Sequence, residues 1–399
     1  MSSPHESPED HVGRDRDAAR AEADAIAAAE AARTADAVER PLPDPDAPVR
    51  LFVGPANFAG QGTAWARAAE ANLAGVSARA MAVRELTMRF DTDYEIDPHV
   101  LTLPEWAEAQ DRYLREQYTH VLIEAMQPVT GCRYGQRVSD EIQPLLDAGL
   151  SIALIAHGPD VRVPSVHLAS TRWSPFDDDW DVMPTVEVLE QRTQRNVDSM
   201  LAFDGPTYVS TPDLLDYVPD ARWCPVVVDT ERWAAPPDAV TVGESGRAPV
   251  VVHVPSHSRL KGTHLIDAPV SELARAGVID YRRRSGVDLA DMPALYARAD
   301  IVLDQFALGS YGVAACEAMA AGRVVVGHVN DSVRGYVREA TGLDLPIVQC
   351  EPDTIEQCLR ALVNDPERMR SAAQAGVRFV REVHDGRRSA RVLAPWLGV

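Results

Sequence analysis

Val250-Val251-Val252-His253-Val254, then the polar turn Pro255 to Leu260, then Lys261-Gly262-Thr263, leads into a helical pattern from Leu265 to Ala276. A short apolar run that ends in a turn and passes into a helical period is one unit of a parallel sheet covered by helices. The same unit recurs on either side. After it come Ile301 to Asp304 with Val313 to Ala321, then Val324 to Gly327, then Pro366 to Val380. Before it come Val49 to Val53 with Thr63 to Leu73, His120 to Glu124 with Gln136 to Ala148, Ile152 to Ala156, and Met183 to Met200. Repetition on both sides of about residue 230 predicts an α/β protein with two Rossmann-like domains facing across a cleft. In such sheets ligands bind beyond the carboxyl ends of the strands, so the turns there are where chemistry is expected.

Lys261 is the only lysine in the chain, although 39 residues are Lys or Arg. An ammonium is a compact point charge that fits among phosphate oxygens in a tight turn, where the wider arginine fork does not. The turn at 304–313 adds a second feature, Asp304-Gln305-Phe306-Ala307-Leu308-Gly309-Ser310-Tyr311-Gly312-Val313, running into Ala314-Ala315-Cys316-Glu317-Ala318-Met319. Ser310 is expected to cap that helix, leaving the amides of Tyr311, Gly312 and Val313 free for a diphosphate beside Lys261. Glu317, flanked by Cys and Ala, is placed to accept hydrogen bonds from a ribose diol.

Three turns in the first half are candidates for the opposite wall. Gly54 to Thr63 is glycine-rich, with Gly60 and Gly62 allowing close backbone approach, but it matches neither dinucleotide nor P-loop spacing. His157-Gly158-Pro159-Asp160-Val161-Arg162 places a histidine at a strand end, with Asp160 and Arg162 able to pair or to orient it. Glu124 ends the strand Val121-Leu122-Ile123 and is expected to face the cleft as an acceptor contact.

These residues resemble the nucleotide-sugar-dependent retaining glycosyltransferases of the GT-B fold, family 4, over residues 49–399. Gly309 to Gly322 is similar to the family's E-G-F-G-x-x-x-x-E-A-M-A-x-G segment, Lys261-Gly262-Thr263 to its K-G turn, and His157 to Arg162 to its H-G-x-D-x-R turn. Val209 to Leu215 followed by Pro225 to Trp233 resembles the last acceptor-domain strand and the crossover. The resemblance implies transfer of a sugar from a nucleoside diphosphate sugar to a glycan, glycolipid or small-molecule acceptor with retention and without a metal or cofactor. In that reading Lys261 holds the diphosphate, Glu317 the ribose and His157 the hexose. Gly309 stands where the family has its first glutamate, and Ser256 where it has an arginine, which leaves Arg259 as the nearby cation together with Gly262 on the donor side. A non-catalytic sugar-nucleotide-binding or scaffold protein, or a GT-B sugar-nucleotide epimerase, would share the same pocket.

The expected domain plan is an acidic, Ala-rich tail and Pro linker at 1–48, disordered or a fraying helix, an acceptor domain at 49–228, a donor domain at 229–380, and a segment at 381–399 returning to the first domain. The net charge of −21 argues against nucleic acid and gives little support to peripheral membrane association. The N-terminus lacks signal-peptide features, so a cytoplasmic setting is expected. Five widely spaced cysteines without a C-x-x-C pair are expected to be reduced thiols. Phe176-Asp177-Asp178-Asp179-Trp180-Asp181 contains Asp-x-Asp but lies in a polar loop, and is expected to be solvated rather than to ligate a metal.

Overall fold

The computed structural model describes residues 39–84, 89–177, 184–236, 239–244 and 246–399. Most of the N-terminal tail and part of the acidic loop at 176–181 therefore lie outside the described residues.

Two parallel sheets carry the fold. The first has seven strands in the order β3-β2-β1-β4-β5-β6-β7, formed by Val49–Gly54, Val76–Val83, Tyr94–Ile96, His120–Glu124, Ser151–Ala156, Thr207–Val209 and Arg222–Trp223 as β1 to β7. The second has five in the order β12-β11-β10-β8-β9, from Val250–His253, Asp280–Arg283, Ile301–Leu303, Val324–Gly327 and Val348–Gln349 as β8 to β12. Every strand pairing is parallel, as the crossover helices require. The central strands are buried on both faces: Leu51, Val53, Val121, Ile123, Val251, Val252 and Val324 are all fully inaccessible.

The last helix, Arg387–Leu397, packs against the helix Gln61–Asn72 of the first sheet, where Leu393 and Leu397 join a cluster with Leu51 and Trp65. Trp396 donates its indole N–H to Ser151 Oγ at 2.8 Å. The start of the crossover is pinned from both domains. Trp65 donates to the carbonyl of Pro225, Val227 donates to Gln61 Oε1, and the imidazole Nδ1 of the buried His384 lies 2.8 Å from the Val226 carbonyl.

Two expectations are corrected here. Residues 40–48 are no free spacer, because Pro43 and Ala47 are buried, Tyr113 donates to the Pro41 carbonyl and Asp44 donates its amide to Ser77 Oγ. The folded part thus begins before residue 49. Cys350 and Cys358 are disulfide-bonded, because the turn at Pro352–Thr354 folds the helix Ile355–Val363 back beside the end of β12 and brings their Cα atoms within 6.1 Å. Cys132, Cys224 and Cys316 are free.

Candidate active site

A cavity of about 620 Å³ opens between the two sheets. Its walls come from both domains: Gly60, Gln61 and Arg67 on one side, Arg232 and Trp233 of the crossover, and Val313 and Glu317 on the other. Val313 begins the helix Val313–Ala320, with Gly312 as its N-cap, so Glu317 lies just over one turn in and points its carboxyl into the cavity. No described donor reaches that carboxyl. Burial pushes it up to about 8, against the pull of the nearby Arg232 and Lys261 cations, while Asp304 adds to the rise.

Lys261 occupies the expected turn but is not free there. Its ammonium lies 2.6 Å from Asp304 Oδ1, and both side chains are largely buried, 15% and 4% exposed. The pair is also tied through the backbone, since Phe306 donates its amide to the Lys261 carbonyl. Arg259 does not face the cavity either. It donates to the Pro175 carbonyl and pairs with Asp177, which places that acidic residue in an interdomain ion pair.

Ser310 does not cap the donor helix. Its hydroxyl donates to Asp213 Oδ1 at 2.5 Å, and Asp213 also holds Arg162 Nη2 at 2.6 Å. Arg162, Asp213 and Ser310 are all buried, so they form an ionic strut from the first domain to the donor-side turn. Burial alone would raise the Asp213 carboxyl, but Arg162 and the Ser310 hydroxyl outweigh it and hold it below the usual range. Asp160 does not pair with Arg162. It accepts the amides of His157 and Gly158 instead, closing that turn. Tyr311 is buried, with its hydroxyl 3.3 Å from His384 Nε2, so only the later part of the 311–313 stretch reaches the cavity.

His157 and Glu124 meet beneath the glycine-rich turn rather than in the open cleft. His157 Nε2 lies 3.0 Å from Glu124 Oε1, the ring is boxed by Phe58 and Trp65, and Asn57 donates its amide to Glu124 Oε2. Glu124 is fully inaccessible, which corrects its expected role as an acceptor contact. A Cβ at residue 62 would sit 2.5 Å from Glu124 Oε2, so Gly62 is required by this packing, while Gly60 lines the cavity.

Gly309 adopts φ +63°, and a Cβ there would lie 2.4 Å from Asn330 Oδ1. Asn330 also donates its amide to the Gly309 carbonyl at 2.8 Å. No glutamate fits this position. Gly309→Glu is expected to lower stability by about 2 kcal/mol or more, from left-handed strain and the displaced amide, without raising any transfer activity. Thermal unfolding and turnover of the variant check both parts.

Residues 222–394 match a family model described as glycosyl transferase-like. The fold agrees. Solved structures similar to this chain include sucrose-phosphate synthase from Thermosynechococcus elongatus, at 14% identity and TM-score 0.57 over 87% of this chain and 98% of that one. The catalytic domain of starch synthase IV from Arabidopsis thaliana, bound to ADP and acarbose, gives 11%, 0.57, 88% and 98% on the same measures. Anabaena HepE in complex with UDP gives 13%, 0.53, 88% and 99%. The chain has the GT-B fold, and its second half is similar to glycosyl transferases. No curated protein matches it.

The residues of this site that are not legible in the sequence are those whose partners are remote. Arg232 lay in a stretch read as crossover, and Asp213 in one read as a strand end. Their meaning depends on what the other domain brings to them. Arg282 and Arg283 lie on edge strand β9 and pair with Asp280 and Asp267. Among the described residues no group of metal-ligating side chains occurs, and no helix is long and apolar enough to cross a membrane.

Proposed function

We propose that this chain is a glycosyltransferase that moves a hexose from a nucleoside diphosphate sugar to an acceptor with retention of configuration, using its own cations rather than a metal. The observation that carries the reading is the unbonded Glu317 carboxyl beside Arg232 in a cavity walled by both domains. When the donor bond breaks, negative charge collects on the β-phosphate, and fixed donors aimed at that charge lower the barrier. Lys261, Arg232 and the first amides of the helix at 313 supply such donors in this reading, and Glu317 takes the ribose hydroxyls. His157 acts one step back, ordering the glycine-rich turn at the acceptor side. Solved structures of similar fold that hold UDP or ADP support a nucleotide in this place. A cytoplasmic setting and a part in polysaccharide or glycolipid assembly belong to the same reading.

Glu317 gives the test. Its carboxyl is largely protonated at pH 7 when pushed up to about 8, whereas a carboxylate is the better acceptor for two ribose hydroxyls. Nucleotide binding is therefore expected to release a proton near pH 7, and affinity is expected to rise with pH until the free protein itself ionises near 8. Calorimetry of UDP and ADP in buffers of different ionisation enthalpy reads the release directly. Glu317→Gln should bind more weakly and lose the proton release, and equal proton release in both proteins would contradict the role. The folding linkage runs the other way. A carboxyl raised by burial favours the folded state at low pH and loses that contribution as pH climbs from its ordinary value near 4.5 through about 8.

A non-catalytic sugar-nucleotide-binding protein is the second reading, favoured by Gly309 and by the Asp304 clasp on Lys261. Both readings predict nucleotide binding, and only the first predicts release of nucleoside diphosphate from a donor.

A further inference from the structure

On the far side of the turn that carries Gly60 lies a second cavity, of about 520 Å³, at the carboxyl ends of β4 and β5. Phe58 lines it, and the Phe58 ring is in edge contact with His157 at 5.4 Å, so it adjoins the acceptor side of the proposed reaction. Its wall carries three guanidinium groups: Arg137 at the start of the helix Val138–Asp147, and Arg192 and Arg195 one turn apart on the helix Val186–Leu201.

Three guanidinium groups without carboxylate partners among the described residues converge on this one cavity in a strongly acidic chain. Several guanidinium groups elsewhere are matched, as in Arg115 with Asp111, Arg247 with Asp300 and Arg360 with Glu356, while others such as Arg232 are not. Among the described residues Arg192 donates only to the Pro159 carbonyl and Arg195 only to the Gln191 carbonyl, and Arg137 has no ion pair. The two carboxylates in the same wall are already engaged. Asp160 accepts the amides of His157 and Gly158, and Asp198 accepts from Gln194 Nε2 at 2.9 Å. Three guanidinium forks outnumber the two carboxylates in this wall, an excess of positive charge that suits an oxyanion, which a guanidinium binds with two parallel hydrogen bonds.

We infer that this cavity receives an anionic group, phosphate or carboxylate, carried by the acceptor, so that the enzyme glycosylates an acidic rather than a neutral acceptor. The inference rests on the transferase reading above and goes beyond it by naming the acceptor class. With the anion held by Arg137, Arg192 and Arg195, the acceptor would extend past Phe58 and the glycine-rich turn towards the donor cavity. Electrostatic capture there also offsets the repulsion that a net charge of −21 imposes on any anionic acceptor.

The test titrates inorganic phosphate by calorimetry into the full chain already saturated with UDP or ADP, which blocks the donor cavity. It compares wild type with Arg192→Gln/Arg195→Gln, a pair of exposed helix positions where glutamine keeps the helix intact. Wild type is expected to bind phosphate, and the double variant to bind it about tenfold or more weakly with nucleotide affinity unchanged. Equal phosphate affinity in the two proteins, or none in nucleotide-saturated wild type, overturns the inference while leaving the donor site standing. Absence of any nucleotide binding overturns the transferase reading, and this inference with it. Co-sedimentation with phosphatidylcholine vesicles, with and without phosphatidylglycerol, assigns the source. Arginine-dependent pelleting on the anionic vesicles marks a lipid-borne anion, and phosphate binding without pelleting marks a soluble one.

Discussion

Lys261→Ala is expected to lower kcat/KM for every active donor by roughly 10²- to 10³-fold, the loss seen when one preorganised donor to a developing anion is removed. The ammonium is held by Asp304 at 2.6 Å, so it is fixed in place before any donor arrives, and fixed charge stabilises a transition state better than mobile charge. The same geometry allows a purely structural lysine, and a double variant separates the two. Lys261→Ala strands a buried carboxylate, whereas Lys261→Ala/Asp304→Asn removes that unpaired charge. Folding stability is expected to recover in the double variant and turnover is not. Recovery of turnover would make the lysine a counter-ion only, and unchanged kcat/KM in the single variant would remove it from the mechanism.

Asp213→Ala is expected to cost about 3–5 kcal/mol of folding stability, because it leaves Arg162 buried and unpaired and also frees the Ser310 hydroxyl. Substitutions at surface positions should not approach this, since such changes usually stay within about 0.5 kcal/mol. The loss should be visible in urea unfolding of the whole chain, and it should carry a pH signature. Asp213 is held below its ordinary range, so its contribution is present above the unfolded value near 4 and disappears as pH falls further. A variant with wild-type stability at pH 7 would show that the strut between the domains carries little. A milder change, Asp213→Asn, keeps one acceptor for Ser310 and should fall between the two.

The parts of this molecule that were legible in its sequence are those set by local order. Apolar runs such as Val49 to Val53 and Val250 to Val254 became buried central strands, and the helix carrying Glu317 begins at Val313 as its Ala-rich pattern suggests. Strands with other compositions were missed. Val76–Val83 alternates alanine with Ser, Arg and Met, and Asp280–Arg283 is a charged edge strand, so neither carries the usual apolar signature.

Side-chain partnerships were the least legible feature, because they join residues far apart in the chain. Lys261 looked like a free cation until Asp304, 43 residues away, came into contact with it. Ser310 had the right residue type for a cap, yet Asp213 from the other domain took its hydroxyl 97 residues away. His157 and Asp160 were recognised as a turn, but the aromatic box of Phe58 and Trp65 that withdraws the imidazole from solvent is tertiary. Gly309 is the instructive case in the other direction. Its absence of a side chain looked like a lost contact, and the left-handed backbone and the Asn330 amide turn it into a requirement of the fold.

The most direct measurement is release of nucleoside diphosphate from a panel of nucleotide sugars by the purified full chain, followed by mass spectrometry with neutral and acidic acceptors present. The account predicts release from at least one donor, dependent on an acceptor and abolished or nearly so by Glu317→Ala. Tight nucleotide binding with no release from any donor would contradict it and leave a binding protein in the fold of a transferase.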